Sequence, residues 1–248
     1  MSIENSFGNK IEQISFEENP FEDETVSREW INSVENEKDM ARDREIYPRL
    51  SKWIEEAAPK VVVEIGSGQG ICSDKMEGYD GRYIGIEPSA VLVERAEELY
   101  KNENRNFIIG NAYELPLPNE CCDAGFAVNV WFHLENLDQA AKELARILKP
   151  NGKFMIMTVN PDEYENWLRT YENIQEDGKK VVGKANTPIV SLSKNIFYRH
   201  SLWEMKKSFE QNGLKINAIE AFGTGGKSGV DYFMQIMGIK IIKQDENA

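Results

Sequence analysis

The chain has 248 residues, a length that suits one α/β domain with additions to its core. Hydrophobic residues make up 41% and charged residues 29%, which excludes a disordered chain and a typical membrane protein. A net charge of -13 repels phosphate backbones, so we expect no nucleic-acid partner.

The first residues have neither a basic start nor an apolar stretch, and no segment has the length needed to span a bilayer. We therefore expect a cytoplasmic protein without a membrane partner. Cys72, Cys121 and Cys122 lack disulfide or metal-binding spacing, and His133 and His200 do not complete a zinc set. We therefore expect the three cysteines to be packing residues in a reducing compartment. We expect no metal site.

Charge is distributed unevenly along the chain. The segment 178–248 is net positive, whereas the segment before it is strongly acidic. Solvated faces explain this distribution, and a basic wall that favours an acidic substrate is the alternative.

Residues 1–58 are predicted to form an arm and a helical cap. The segment 1–26 is polar and interrupted by Pro20, which is typical of a loosely ordered arm. From Ser27 to Ala58 apolar residues recur at helical spacing, which predicts two helices.

Residues 59–160 alternate between apolar strands and helical segments. Helices are predicted from Ser89 and from Leu137, the second with Asn136 as its N-cap. This alternation predicts right-handed crossovers and a parallel sheet. The predicted strands are 61–65, 82–87, 106–110, 123–130 and 153–159.

The C-terminal part of the chain departs from this alternation at first. Residues 161–200 are predicted to be an insertion on the substrate side, with a helix that contains Trp167 and Tyr171. Residues 201–248 are predicted to complete the sheet with one helix (201–212) and two strands (214–222 and 230–242). The fold class is therefore α/β, with a doubly wound, mostly parallel seven-stranded sheet.

A glycine-rich turn follows the first strand, in the segment Glu64-Ile65-Gly66-Ser67-Gly68-Gln69-Gly70. Three glycines allow the backbone to approach a ligand closely, which indicates a cofactor loop. Ile71 stands where a dinucleotide-binding fingerprint needs its last glycine. NAD and FAD are therefore disfavoured.

This segment resembles the first motif of class I methyltransferases that use S-adenosylmethionine (SAM). Four further segments resemble later motifs of the ubiquinone-biosynthesis-like branch, in the same order: YIGIEPS (83–89), GNAYELPLP (110–118), AVNVWFHLEN (127–136) and ELARILKPNGKFMI (143–156). The resemblance implies a Rossmann-like fold, SAM as cofactor and methyl transfer as the reaction. It assigns ten residues to cofactor binding: Glu64, Gly66, Ser67, Gly68, Gly70, Glu87, Pro88, Asn111, Ala112 and Asn129.

Physical chemistry agrees with the main assignments. A carboxylate at the tip of the second strand, Glu87, can accept hydrogen bonds from both ribose hydroxyls. Glu64 follows three valines and needs a cationic or hydrogen-bonding partner to be ionised there. The resemblance places Asn111 where the adenine amine binds, and its amide oxygen can accept a hydrogen bond from that amine. A simple turn asparagine is the alternative.

His133 is the catalytic candidate, because it follows the fourth strand at the edge where open α/β sheets bind ligands. It is expected to act as a base, and a packed or capping histidine is the alternative. Six aromatic residues outside the motifs are expected either to line a pocket for the methyl acceptor or to belong to the core. They are Trp30, Tyr47, Trp167, Tyr171, Phe197 and Tyr198.

The sequence leaves several functions open. The preferred one is methyl transfer from SAM to an unidentified small molecule. A SAM-binding sensor or partner subunit without transferase activity is the main alternative, because fold alone does not exclude it. A transferase that acts on protein side chains is a further one. The oligomeric state is not predicted.

Overall fold

The chain folds around one seven-stranded sheet, and a computed structural model describes its residues 19–35, 42–186, 191–223 and 231–241. The strands are β1 (Val61–Ile65), β2 (Arg82–Glu87), β3 (Arg105–Ile109), β4 (Cys122–Val128), β5 (Leu148–Val159), β6 (Tyr171–Asp177), β7 (Lys180–Asn186), β8 (Ser191–Tyr198), β9 (Leu214–Phe222) and β10 (Phe233–Lys240). The α-helices are α1 (Glu24–Glu35), α2 (Tyr47–Ala57), α3 (Ile71–Lys75), α4 (Ala90–Tyr100), α5 (Leu137–Ile147), α6 (Tyr164–Leu168) and α7 (Leu202–Gln211).

The main sheet has the order β3-β2-β1-β4-β5-β10-β9, and β10 runs antiparallel to both of its neighbours. The pairs within β1–β5 are parallel, as their separation by helices requires. The order reverses between β1 and β4, which places a crevice at the carboxyl ends of these strands. The predicted mostly parallel seven-stranded sheet is confirmed.

Both faces of this sheet are covered by helices. On one face α5 and α7 bury Leu144, Met205 and Phe209 against the strands. On the other face α2, α3 and α4 bury residues such as Trp53 and Val93. Asn136 accepts a hydrogen bond from the backbone N–H of Gln139, so the predicted N-cap of α5 is confirmed.

The N-terminal helix begins earlier than the sequence predicts. A 3₁₀ turn over Pro20–Glu22 precedes α1, which starts at Glu24 rather than at Ser27. Val26 is buried against Ala185 and Leu192 of the insertion. Apolar burial therefore orders the last part of the predicted arm, while residues 1–18 lie outside the described residues.

Besides the short helix α6, the insertion contains a three-stranded antiparallel sheet of order β6-β7-β8, which was not predicted. Tyr171, predicted in a helix, begins β6, while Trp167 lies in the short α6. A two-residue turn at Gly178 and Lys179 joins β6 to β7, and the positive φ of 60° at Gly178 suits such a turn. The dipeptide Asp177-Gly178 is typical of a hairpin turn, and the prediction of a helix around Tyr171 did not take it into account.

The helices of the described residues are too short or too polar to cross a membrane.

Candidate functional site

A cavity of about 1060 Å³ opens at the carboxyl ends of β1, β2 and β4. Its walls come from the glycine turn after β1, the segment after β3, the 3₁₀ turn at Trp131–His133, the N-terminal segment and β8. Nine of the ten predicted cofactor residues line it, and so does His133. The sheet therefore brings together residues that are far apart in sequence.

The three glycines of the turn have different roles. Gly66 and Gly68 line the cavity with positive φ angles of 72° and 53°. A Cβ atom at Gly66 would lie 2.3 Å from Val130, whereas one at Gly68 would meet only the Trp30 Nε1 atom, at 3.8 Å. Gly68 is therefore the position where the backbone faces open space suited to a ligand.

Gly70, predicted as a cofactor residue, does not line the cavity. A Cβ atom there would lie 2.7 Å from the Phe107 ring and 3.0 Å from Ala96. Its φ of 83° is also left-handed. Close packing beneath the turn, rather than ligand contact, accounts for this glycine.

Glu87 holds the glycine turn to the end of β2. Its two carboxylate oxygens accept hydrogen bonds from the backbone N–H groups of Gly68 and Ser89, each at 3.0 Å. Burial raises its pKa to about 7, and these hydrogen bonds oppose the rise. The carboxylate has further lone pairs that can accept hydrogen bonds from a ligand, and its contact with ribose hydroxyls stays a prediction.

Glu64 is buried in the floor of the cavity and accepts a hydrogen bond from the Tyr83 hydroxyl. Burial raises its pKa to about 8. Within the described part of the chain, no basic side chain forms an ion pair with it. A cationic ligand group is the partner that would favour the ionised form.

Several buried polar atoms in the glycine turn and just after β4 have no hydrogen-bond partner in the described structure. They include the Ser67 hydroxyl, both amide atoms of Gln69 and the Asn129 Oδ1 atom. Leaving such groups unsatisfied is costly, and clusters of them indicate a polar ligand. The residues present therefore fit a cofactor with amino, carboxylate and hydroxyl groups.

Gln69 was not assigned a role from the sequence. The residue is only 2% exposed and lines the cavity, and neither atom of its side-chain amide has a hydrogen-bond partner in the described structure. Gln69 is therefore an additional candidate for ligand binding in the turn. Asn129 adds a second local signal, since it has a positive φ of 57° at the end of β4. Such strain in a residue other than glycine is concentrated at functional sites.

Asn111 has the geometry of a turn residue. Its Oδ1 atom accepts hydrogen bonds from the backbone N–H groups of Tyr113 (2.8 Å) and Glu114 (3.1 Å). Both lone pairs of this oxygen are therefore used by the turn, and only the side-chain N–H₂ remains for a ligand. This geometry favours the turn alternative, and the contact with adenine stays a prediction.

His133 ends the 3₁₀ turn that follows β4, and it lines the cavity. Its Nδ1 atom is 2.5 Å from the carbonyl oxygen of Ile196 in β8. Because a carbonyl only accepts, Nδ1 carries the proton and Nε2 is left as a hydrogen-bond acceptor. Burial lowers the pKa of His133 to about 4, which makes its ring a weaker base than an ordinary histidine.

The six aromatic candidates divide into two groups. Trp30, Tyr47 and Tyr198 line the cavity. Trp167 packs edge-to-face on Tyr171 and Phe197, with ring centroids 5.0 and 4.8 Å apart, in the core of the insertion. Helical spacing alone does not distinguish these roles.

Two serine hydroxyls connect α1 to the N-cap of α4, two residues after Glu87. The Ser27 hydroxyl lies 2.6 Å from the carbonyl oxygen of Phe21 and 2.7 Å from the Ser89 hydroxyl. Ser27 donates to the carbonyl, so Ser89 donates to Ser27 and accepts from the Leu92 N–H. The N-terminal segment is therefore attached directly beside the site.

Comparison with known proteins agrees with this geometry. Residues 63–156 match the model of a methyltransferase domain family. The chain is 31% identical over 125 residues to an uncharacterized methyltransferase of Schizosaccharomyces pombe, covering 43% of this chain and 45% of that protein. It is 26% identical over 129 residues to the ubiquinone/menaquinone biosynthesis C-methyltransferase of Rubrivivax gelatinosus, covering 50% and 49%. The chain thus spans about half the length of these curated relatives.

A solved structure shares the fold over nearly the whole chain. The crystal structure of a protein from Pyrococcus horikoshii has a TM-score of 0.65 and 21% identity, with coverage of 90% of this chain and 96% of that one. Residues 63–156 are thus similar to a methyltransferase domain, and the chain has the fold of the solved structure. S-adenosylmethionine is the cofactor that this similarity implies.

No group of three or more potential metal-ligating side chains occurs among the residues that the structure describes. Cys72, Cys121 and Cys122 are all free thiols. Cys72 lines the cavity beside Glu64.

Proposed function

We propose that the protein transfers the methyl group of SAM to a small molecule bound in the same cavity. The observation that carries this proposal is the extent of the cavity. A volume of about 1060 Å³ is at the upper end of the range for a single drug-sized ligand, and its walls continue from the glycine turn to His133 and β8. This leaves room for a second ligand beside the cofactor.

The residues of the turn and of β2 would hold the cofactor. Glu87 accepts from the ribose hydroxyls, Gly68 allows close backbone approach, and Glu64, Gln69 and Asn129 offer polar atoms to the methionine part. When bound, SAM supplies a methyl group made electrophilic by its sulfonium. The task of the chain is then to align a nucleophile with that methyl group and to exclude water.

The N-terminal segment and β8 would supply the wall for the methyl acceptor. Phe21 and Trp30 of the N-terminal segment and Tyr198 of β8 line the cavity. A wall built from apolar faces with a few polar tips suits a small organic molecule better than an extended polymer. The net charge of -13 further disfavours nucleic acid.

Incubation with isotopically labelled SAM and a metabolite extract tests the proposal. We expect label in a small-molecule product, detected by mass spectrometry, and a lower yield with Glu87→Gln than with Glu103→Gln. Glu103 is an exposed carboxylate outside the cavity, so its variant controls for the loss of charge.

Two outcomes would contradict the proposal. SAM binding without transfer to any molecule would favour a sensor or a partner subunit. Label found only in macromolecules would favour a protein or nucleic-acid substrate.

A further inference from the structure

We propose that the methyl acceptor is an amine that enters the cavity as an ammonium ion and binds against the rings of Phe21 and His133, beside the carboxylates of Glu22 and Glu135. This inference rests on the proposed function and names the chemical class of its substrate.

Aromatic faces extend from the cofactor turn to His133. Trp30 lies beside Gly68, and Phe21 packs edge-to-face on Trp30 and on His133, with ring centroids 5.7 and 5.8 Å apart. These three residues come from α1 and from two 3₁₀ turns, and all of them line the cavity. The electron-rich faces of aromatic rings attract ammonium ions. A cation is therefore suited to the end of the cavity that holds Phe21 and His133.

Unneutralised carboxylates lie along the same wall. Glu22 directly follows Phe21, and Glu135 is two residues beyond His133. Both line the cavity, and neither has an ion-pair partner among the residues that the structure describes. The Glu135 Oε2 atom accepts a hydrogen bond of 3.4 Å from the Tyr198 hydroxyl. These carboxylates attract a positive charge and repel a negative one.

The basic side chains that line the cavity are already engaged. The Arg42 guanidinium lies over the Trp30 ring at 4.9 Å, and the Lys207 ammonium lies over the Trp203 ring at 4.9 Å. Lys179 forms an ion pair with Glu204. In the described residues the cavity thus offers no unengaged cation for a carboxylate or phosphate group. An acidic methyl acceptor, the alternative that the basic C-terminal segment left open, is disfavoured.

His133 offers the hydrogen bond that an amine needs. Its Nδ1–H faces the Ile196 carbonyl, and its Nε2 atom has no partner in the described part of the chain. The neutral ring can therefore accept an N–H bond at Nε2 and direct the nitrogen lone pair toward the methyl group. Its low pKa suits this positioning better than it suits proton abstraction.

The transfer balances without any further reactant. The ammonium first loses one proton to water at the rim of the cavity, beside the Tyr198–Glu135 pair. The nitrogen lone pair then forms the N–C bond, while the electron pair of the breaking C–S bond stays on sulfur. The products are the methylated ammonium and S-adenosylhomocysteine.

Binding of three matched probes to the protein saturated with S-adenosylhomocysteine tests the inference. Benzylammonium, benzyl alcohol and benzoate share one ring and differ in charge, and their affinities can be compared by calorimetry near neutral pH. We expect benzylammonium to bind at least tenfold more tightly than either of the other two. Glu135→Gln should weaken benzylammonium binding by about threefold or more and leave benzyl alcohol unchanged. Glu103→Gln should change neither affinity.

A second variant tests the aromatic contribution. Phe21→Leu retains an apolar side chain but removes the ring face, so it should reduce the preference for benzylammonium over benzyl alcohol by about twofold to fivefold. Equal affinities for the three probes, no binding of any of them, or tighter binding of benzoate would overturn the inference. Failure of S-adenosylhomocysteine to bind in the first step would instead overturn the proposed function.

Discussion

Two alanine substitutions in the glycine turn should separate ligand contact from folding. At Gly68 the added methyl group meets only Trp30 Nε1, at 3.8 Å, and extends into the cavity. At Gly70 it lies 2.7 Å from Phe107 and 3.0 Å from Ala96. Both positions have positive φ, so each variant also incurs backbone strain of about 1–2 kcal/mol.

The magnitudes follow from these surroundings. Forcing a methyl group into filled space costs about 1–3 kcal/mol. At Gly68 that space would be filled by the cofactor, so the cost reduces the binding free energy and lowers cofactor affinity by about 5- to 150-fold. At Gly70 the same cost adds to the strain in the folded protein, so the free energy of unfolding should fall by about 2–5 kcal/mol. At about 2–4 °C for each kcal/mol in a chain of this size, the melting temperature should fall by at least 4 °C.

Thermal unfolding and calorimetric titration with S-adenosylhomocysteine measure both effects. Gly68→Ala should lose most of its affinity and only the stability that the backbone strain costs, about 1–2 kcal/mol. Gly70→Ala should lose about 2–5 kcal/mol of stability, while the molecules that remain folded retain their affinity. The reasoning is refuted if Gly68→Ala binds as the unchanged protein does, or if Gly70→Ala is as stable as the unchanged protein.

Three further predictions concern charge and attachment. Burial raises the pKa values of Glu64 and Glu87 to about 8 and about 7, so calorimetry should show SAM affinity rising from about pH 6.5 to about pH 8.5. Without ligand, the protein should lose stability as the pH rises from about 5 to 8, because the protonated carboxyls favour the folded state below their raised pKa values. Glu87→Gln should lower SAM affinity at least tenfold, because a charged hydrogen-bond acceptor contributes about 1.5–3 kcal/mol; unchanged affinity in titrations would exclude ribose contact. Ser27→Ala should lower the free energy of unfolding by about 1–3 kcal/mol in denaturant titrations, because the buried Ser89 hydroxyl loses its acceptor. Ser33→Ala, in the same helix, is the control and should lower it less.

The main sheet could be predicted because its signals are local. A short apolar run predicts the strand β1, and Asn136 before a helical pattern predicts the start of α5. The structure has both elements at the expected residues. The insertion could not be predicted so well, because Lys180–Asn186 mixes polar and apolar residues and its one clear signal is the turn at Gly178.

The motifs predicted residues that the structure places around one cavity, but they did not predict the state of each residue. The packing role of Gly70 depends on Phe107, which is distant in sequence. The tautomer and lowered pKa of His133 depend on burial beside Ile196, 63 residues away. The orphaned amide of Gln69 likewise becomes visible only once the tertiary structure is known.

Titration of the purified protein with S-adenosylhomocysteine and, separately, with NAD tests the central claim most directly. We predict one binding site for S-adenosylhomocysteine. At a hundredfold excess over its dissociation constant, this ligand should stabilise the fold by about 2.7 kcal/mol and raise the melting temperature by roughly 5–11 °C. NAD should produce neither binding heat nor a thermal shift. Binding of NAD, or the absence of any response to S-adenosylhomocysteine, would contradict the account.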